Sequence, residues 1–226
     1  MFIGHFGVGL AAKKIAPELN LGILFVACQL LDLIWPILVL AGIEQVAVDP
    51  AATAVTPLDF FHYPYSHSLV MTLFYSLIGA VIIWKIFNHV KYGLVAGLVI
   101  LSHWILDFIT HRPDLPIFLG EAKFGLGLWN SVVGTLVVEV GIFVFGILIY
   151  LRSSPAMKLM SQKRRATFWS LIAFLLLIYF VNIFGPKPPI DTSSAVIAGP
   201  ALAMWLIIIW GYYADRVSVI SPKTAP

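Results

Sequence analysis

The chain reads as long apolar runs separated by short polar connections. Runs at Leu21–Gly42, Ser68–Phe87, Tyr92–Ile109, Val132–Leu151, Phe168–Phe184 and Ala195–Tyr212 each approach the ~20 residues a helix needs to cross a bilayer core. They predict six spanning helices. A further run, Phe2–Ala16, covers only about 20 Å at the α-helical rise. Two readings are open to it, a short tilted span or an interfacial helix. Lys13 and Lys14 follow its apolar stretch, the reverse of a secretory leader, so it is expected to stay in the mature protein. The predicted fold is all-α: a polytopic membrane helix bundle of six spans plus a short N-terminal helix, forming one integral membrane domain over residues 1–226.

Composition strengthens this picture. Of 226 residues, 60% are hydrophobic and 11% charged, against roughly 25% charged in soluble domains, and the mean hydropathy is +0.96. A soluble fold of this length could not hide so much apolar surface, whereas a bilayer removes the need. The net charge of +3 is small, and the basic residues are not interleaved with aromatics, so no nucleic-acid partner is expected. Cys28 is the only cysteine, which excludes an intrachain disulfide.

Charge in the connections predicts orientation. The connection with Arg152, Lys158, Lys163, Arg164 and Arg165 is purely basic, as is that around Lys85, His89 and Lys91, and the tail carries Arg216 and Lys223. The connections holding Glu44, Asp49 and Asp59, and Asp114, Glu121 and Asp191, are acidic or mixed. The positive-inside rule places the basic set, the C-terminus and Lys13–Lys14 in the cytoplasm. Trp129, Trp169, Trp205, Trp210, Tyr150 and Tyr212 lie mostly near span ends, as interfacial anchors do. Gly93 and Gly97 form a GxxxG step, and Gly4, Gly7 and Gly9 cluster near the start. Both groups predict close helix packing.

Against this apolar background, ionisable residues inside spans are costly, and each is a functional candidate. Asp32 sits midway along the first full span. His103 and Asp107 lie one turn apart in the third, with His111 one turn beyond. Glu139 lies in the fourth span, His67 opens the second after Ser66, and His5 is near the chain start. Under the charge-derived orientation these groups share the outer half of the membrane, so convergence on one site is the expectation. Ser66 as an N-cap would place His67 in a first helical turn, where the positive helix end disfavours imidazolium. Asp59 and His62 read as solvated loop residues.

The order Gly4-His5, Leu31-Asp32, Ser66-His67-Ser68-Leu69 and Ser102-His103-x-x-x-Asp107 followed by Thr110 resembles the DUF457 family, the YdjM-like membrane-bound metal-dependent hydrolases of the bacterial inner membrane. The resemblance covers residues 1–118; residues 119–226 supply additional transmembrane helices. It implies His5, Asp32, His67, His103 and Asp107 as metal ligands. Where the family often has two neighbouring aspartates, this chain has Asp32 alone, and Tyr63-Pro64-Tyr65 stands in place of a His-Arg-Gly stretch. One divalent ion is therefore expected. Mixed imidazole and carboxylate ligands suit zinc, with manganese and iron compatible.

The expected chemistry is hydrolysis, with Glu139 or a spare carboxylate accepting a proton. Placement among membrane lipids suits a lipid or lipid-linked phosphoester. The alternatives are a cation- or proton-coupled permease using the same buried His and Asp residues, and a structural protein with hydrogen-bonded pairs. If a site forms, its opening should lead toward Tyr63–Ser66 and not toward Lys91.

Overall fold

Helix starts and stops are set by local chemistry. In the computed structural model, which describes residues 1–120, 122–153 and 161–215, Asn20 accepts from Gly22 N and opens helix α2 (Leu21–Leu40). Ser68 accepts from Met71 N and opens α4 (Leu69–Phe87), which stops at Asn88 in the left-handed conformation. Helices α5 (Val90–Thr110) and α6 (Val132–Ser153) follow. Ser161 caps α7 (Gln162–Phe184). The last span is broken into α8 (Ser194–Ala201) and α9 (Met204–Asp215). Counting α8 and α9 as one, six helices among the described residues are long and apolar enough to cross a membrane, and their positions match the runs in the sequence. The chain is an integral membrane protein with an all-α bundle fold.

The packing has the polarity of a membrane protein. Only Thr72 and Ser76 of α4 are buried, while Leu73, Phe74, Leu77, Ile78 and Val81 are exposed. In water that arrangement would be inverted; in lipid the outward apolar face is solvated and small polar residues pack inward. The glycines act as expected. A side chain at Gly93 or Gly97 would meet the backbone of α4 at Ala80 or Ser76, so α4 and α5 pack in close contact.

Several expectations need correction. The N-terminal segment does not lie on the surface of the bundle. It forms α1 (Ile3–Ala12) inside the bundle, packed against α6, α2 and α5. Ile3, Phe6 and Leu10 are fully buried. Such enclosure suits a helix apolar on every side. It is permitted by Gly7 and by Gly146 of α6, which lie backbone to backbone with no room for a side chain on either.

The connection after α2 is not an open acidic loop. Strands β1 (Gln45–Val48) and β2 (Leu58–His62) pair antiparallel, and Glu44 is buried. His67 does not open the second span. It ends a separate turn, α3 (Pro64–His67), and Ser68, not Ser66, is the cap of α4, so the helix-end argument for a neutral His67 does not hold. Asp59 is not simply solvated, because it pairs with Arg112, whereas His62 is exposed. Helix α7 begins six residues before Phe168 and takes Lys163, Arg164 and Arg165 into its first turns. Beyond the spans, Leu115–Pro116 and Lys123–Phe124 form a second short antiparallel pair, β3 and β4. Lys158, Arg216, Lys223 and Glu121, used in the charge reading, lie outside the described residues.

Candidate metal centre

The five residues implied by the resemblance converge from four elements. α1 brings His5, α2 Asp32, α3 His67, and α5 both His103 and Asp107. Asp107 is central. Its Oδ1 lies 3.1 Å from His5 Nε2, and its Oδ2 lies 3.1 Å from His103 Nε2 and 3.9 Å from His67 Nε2. Asp32 completes the set, 3.3 Å from His67 Nε2 and 3.8 Å from His103 Nε2. One atom each of His5, His103 and Asp107 falls within a mutual 4.8 Å, and so does one each of Asp32, His67 and His103. The rings of His5 and His103 stack with centroids 3.7 Å apart. Asp107 also pairs with the amino group of Met1.

The hydrogen bonds behind the cluster assign tautomers. His103 Nδ1 lies 2.7 Å from the carbonyl of Cys28. A carbonyl only accepts, so Nδ1 carries a proton, and in the neutral ring Nε2 presents a lone pair to the two carboxylates. His67 is fixed by a relay. Glu44 Oε1 accepts from the backbone N–H of Tyr65 and Ser66 at 2.8 Å, and its Oε2 accepts from Ser66 Oγ at 2.6 Å. The Ser66 hydroxyl proton is thereby committed to Glu44. Ser66 Oγ, 2.7 Å from His67 Nδ1, accepts from that nitrogen, and His67 Nε2 also points its lone pair inward. Carboxylate or carbonyl partners on the outer nitrogen are the usual support of a metal-bound histidine.

The centre is therefore a convergence of acceptors. His103 Nε2 and His5 Nδ1 are buried with no hydrogen-bond partner. Such groups are expensive to leave unpaired, and a cation shared between His103 Nε2 and the facing carboxylate oxygens would satisfy both. The donor set, three imidazoles and two carboxylates, fits zinc and also manganese or iron. Pro36 adds a local effect: it has no N–H for the carbonyl of Asp32, one turn earlier in α2.

A cavity of about 550 Å³ opens from the cluster, within the range of small-molecule sites. Asp32, His67 and Asp107 reach it from the cluster side, Tyr63 and Phe60 line it beside β2, and Lys91 is not among its walls. Glu139 also faces it, but Glu139 Oε2 accepts from the backbone N–H of Phe2 at 2.8 Å and of Gly4 at 3.4 Å. Its first task is to hold the start of α1 in place. His111 is not among the clustered ligand atoms. Its Nδ1 lies 2.9 Å from Asp114, and Tyr63 donates to Asp114 at 3.1 Å. Burial, followed by the charge of Asp114, raises the Tyr63 hydroxyl well above its ordinary pKa, so it remains a donor.

Two buried polar arrangements were not found from sequence. The Glu44–Ser66 relay gave no signal, because Glu44 sits among polar loop residues. A second buried charge group, Lys13 with Asp215, was masked by its place at span ends, where charge is inexpensive. Comparison with protein-family models, with curated proteins and with solved structures finds no match to this chain.

Proposed function

We propose that the chain is a membrane-embedded, metal-dependent hydrolase of the kind its residue order resembles, acting on a lipid or lipid-linked phosphoester. The observation that carries this reading is the convergence of His5, Asp32, His67, His103 and Asp107, with the lone pairs of His67 and His103 turned inward. A divalent ion held by these residues would supply Lewis-acid chemistry, lowering the pKa of a water and polarising a phosphoryl oxygen. The chain's own residues then have separate tasks. Cys28 and Ser66 orient His103 and His67. Asp32, partly exposed to the cavity, and Glu139, through the oxygen not engaged by α1, are the available proton acceptors.

The charge pattern of the connections supports an opening on the extracytoplasmic side, with the C-terminus in the cytoplasm. The permease reading is less well supported, because a conducting path needs access from both faces. On the far side of the cluster, Phe6, Leu10, Leu24, Phe25 and Phe143 are fully buried and packed together. The decisive experiment is elemental analysis of the purified protein, expected to give one divalent ion per chain. Metal content indistinguishable between wild type and Asp107→Ala would overturn the reading.

A further inference from the structure

The cavity's far wall comes from the second half of the chain. The sixth span is broken at Leu202–Ala203, just after Pro200. Its two pieces then take different neighbours: α9 packs on α2 and α7, whereas α8 packs on α2 and β1. Val181 and Ile183 of α7 face the cavity from one side, and Val196, Ile197 and Pro200 of α8 from the other. Val181 and Val196 are nevertheless 51% and 64% exposed. Both lie in helices long and apolar enough to cross a membrane, so between them the cavity has an open edge with aliphatic residues on either side.

The rest of the cavity is graded in polarity. The acceptor-rich cluster forms its floor. At its rim Lys187, between Pro186 and Pro188, donates from Nζ to the carbonyls of Val55, Asn182 and Ile183 at 2.8–3.0 Å. Among the described residues it has no carboxylate partner; with its three N–H donors taken by carbonyls, it acts on an anion through its charge. Leu58 and Phe60, from β2, cover the cavity from outside.

We propose that substrate enters this cavity sideways from the bilayer, as an amphiphile with one hydrocarbon chain. The chain lies in the seam between α7 and α8, and its phosphoryl group sits between the His/Asp cluster and Lys187; this rests on the hydrolase reading above. An aliphatic seam accepts an acyl or prenyl chain without dehydrating polar groups, and a cation above an ion-binding floor suits a phosphate monoester or diphosphate.

The test uses the full chain in nanodiscs and a hexadecyl phosphate carrying a photoreactive diazirine at the chain end. Label is expected on residues 181–183 and 196–201, displaced by unlabelled hexadecyl phosphate and not by inorganic phosphate. Val196→Trp fills the seam from a lipid-exposed position. It should reduce this label at least about tenfold, equivalent to about 1.4 kcal/mol, with metal content unchanged. Label spread over the outer face of α4, insensitivity to Val196→Trp, or displacement by inorganic phosphate alone would overturn the proposal. If wild type holds no metal, the hydrolase reading fails, and the label map on that same protein still decides the side access.

Discussion

Two of the buried charged groups are built on opposite plans. In one, Lys13 donates to Asp215 and to the carbonyl of Leu19, while Asp215 also accepts from Leu21 N at 3.1 Å and Tyr150 OH at 2.9 Å. One cation meets one anion, and both oxygens of Asp215 are occupied. The group ties the end of α1 to α6, the start of α2 and the end of α9. In the other, at the start of α1, two carboxylates face three imidazoles and the Met1 amino group, and the assigned protons of His67 and His103 point away from the centre. Here acceptors outnumber donors, and a cavity opens beside them. A closed set of partners marks a structural tie. A surplus of lone pairs beside open volume marks a place for a ligand.

The largest expected effect falls on the closed group. Lys13→Ala leaves Asp215 buried and unpaired, which should destabilise the protein by about 3–5 kcal/mol. Thermal unfolding in detergent measures this, and a double replacement, Lys13→Met with Asp215→Leu, should recover much of the loss. Metal content of the molecules that remain folded should not change. If it falls, the two groups are not independent.

In the open group the order of effects should reverse. Asp107→Ala should weaken metal binding by more than ~100-fold, beyond what loss of an outer hydrogen-bond partner produces, with a smaller change in unfolding temperature. Elemental analysis and competition with a chelator read the two properties separately.

Ser66→Ala sharpens the comparison further. It removes the acceptor that fixes the His67 tautomer without removing a proposed ligand. The expected loss of metal affinity is ~10–100-fold, partly restored by Ser66→Thr. Equal affinity in Ser66→Ala and wild type would detach His67 from the centre. The smallest effect is assigned to His89, at the start of α5 and stacked on Tyr92. His89→Ala should leave metal content unchanged.

The six spans were legible because a bilayer imposes length and apolarity together, and no local chemistry competes with that signal. Asp32, His103 and Asp107 were legible for the same reason, as polar groups where polarity is expensive. Legibility failed where cost is low. Glu44 precedes β1, Asp215 ends α9, and nothing about an acid in a connection or at a span end says that it is buried. α1 failed differently. Its composition fits a span, a surface helix or a buried core, and only the complementary glycine on α6, far along the chain, selects the last. The seam between α7 and α8 is lined with ordinary aliphatic residues, and depends on a helix break that Pro200 permits but does not announce.

The enclosure of α1 has a consequence for biosynthesis. His5 is translated before its partner Asp107, which lies 102 residues later, and the Glu139 that anchors the start of α1 lies 137 residues beyond Phe2. A ten-residue helix is too short to be retained in the membrane as a span, and the Gly146 surface on which it docks does not exist until α6 has been made. All five clustered residues are therefore translated within 1–118, but the nascent chain cannot assemble them there. The centre closes only when the fourth span arrives, which makes it a late product of a chain that encodes it early.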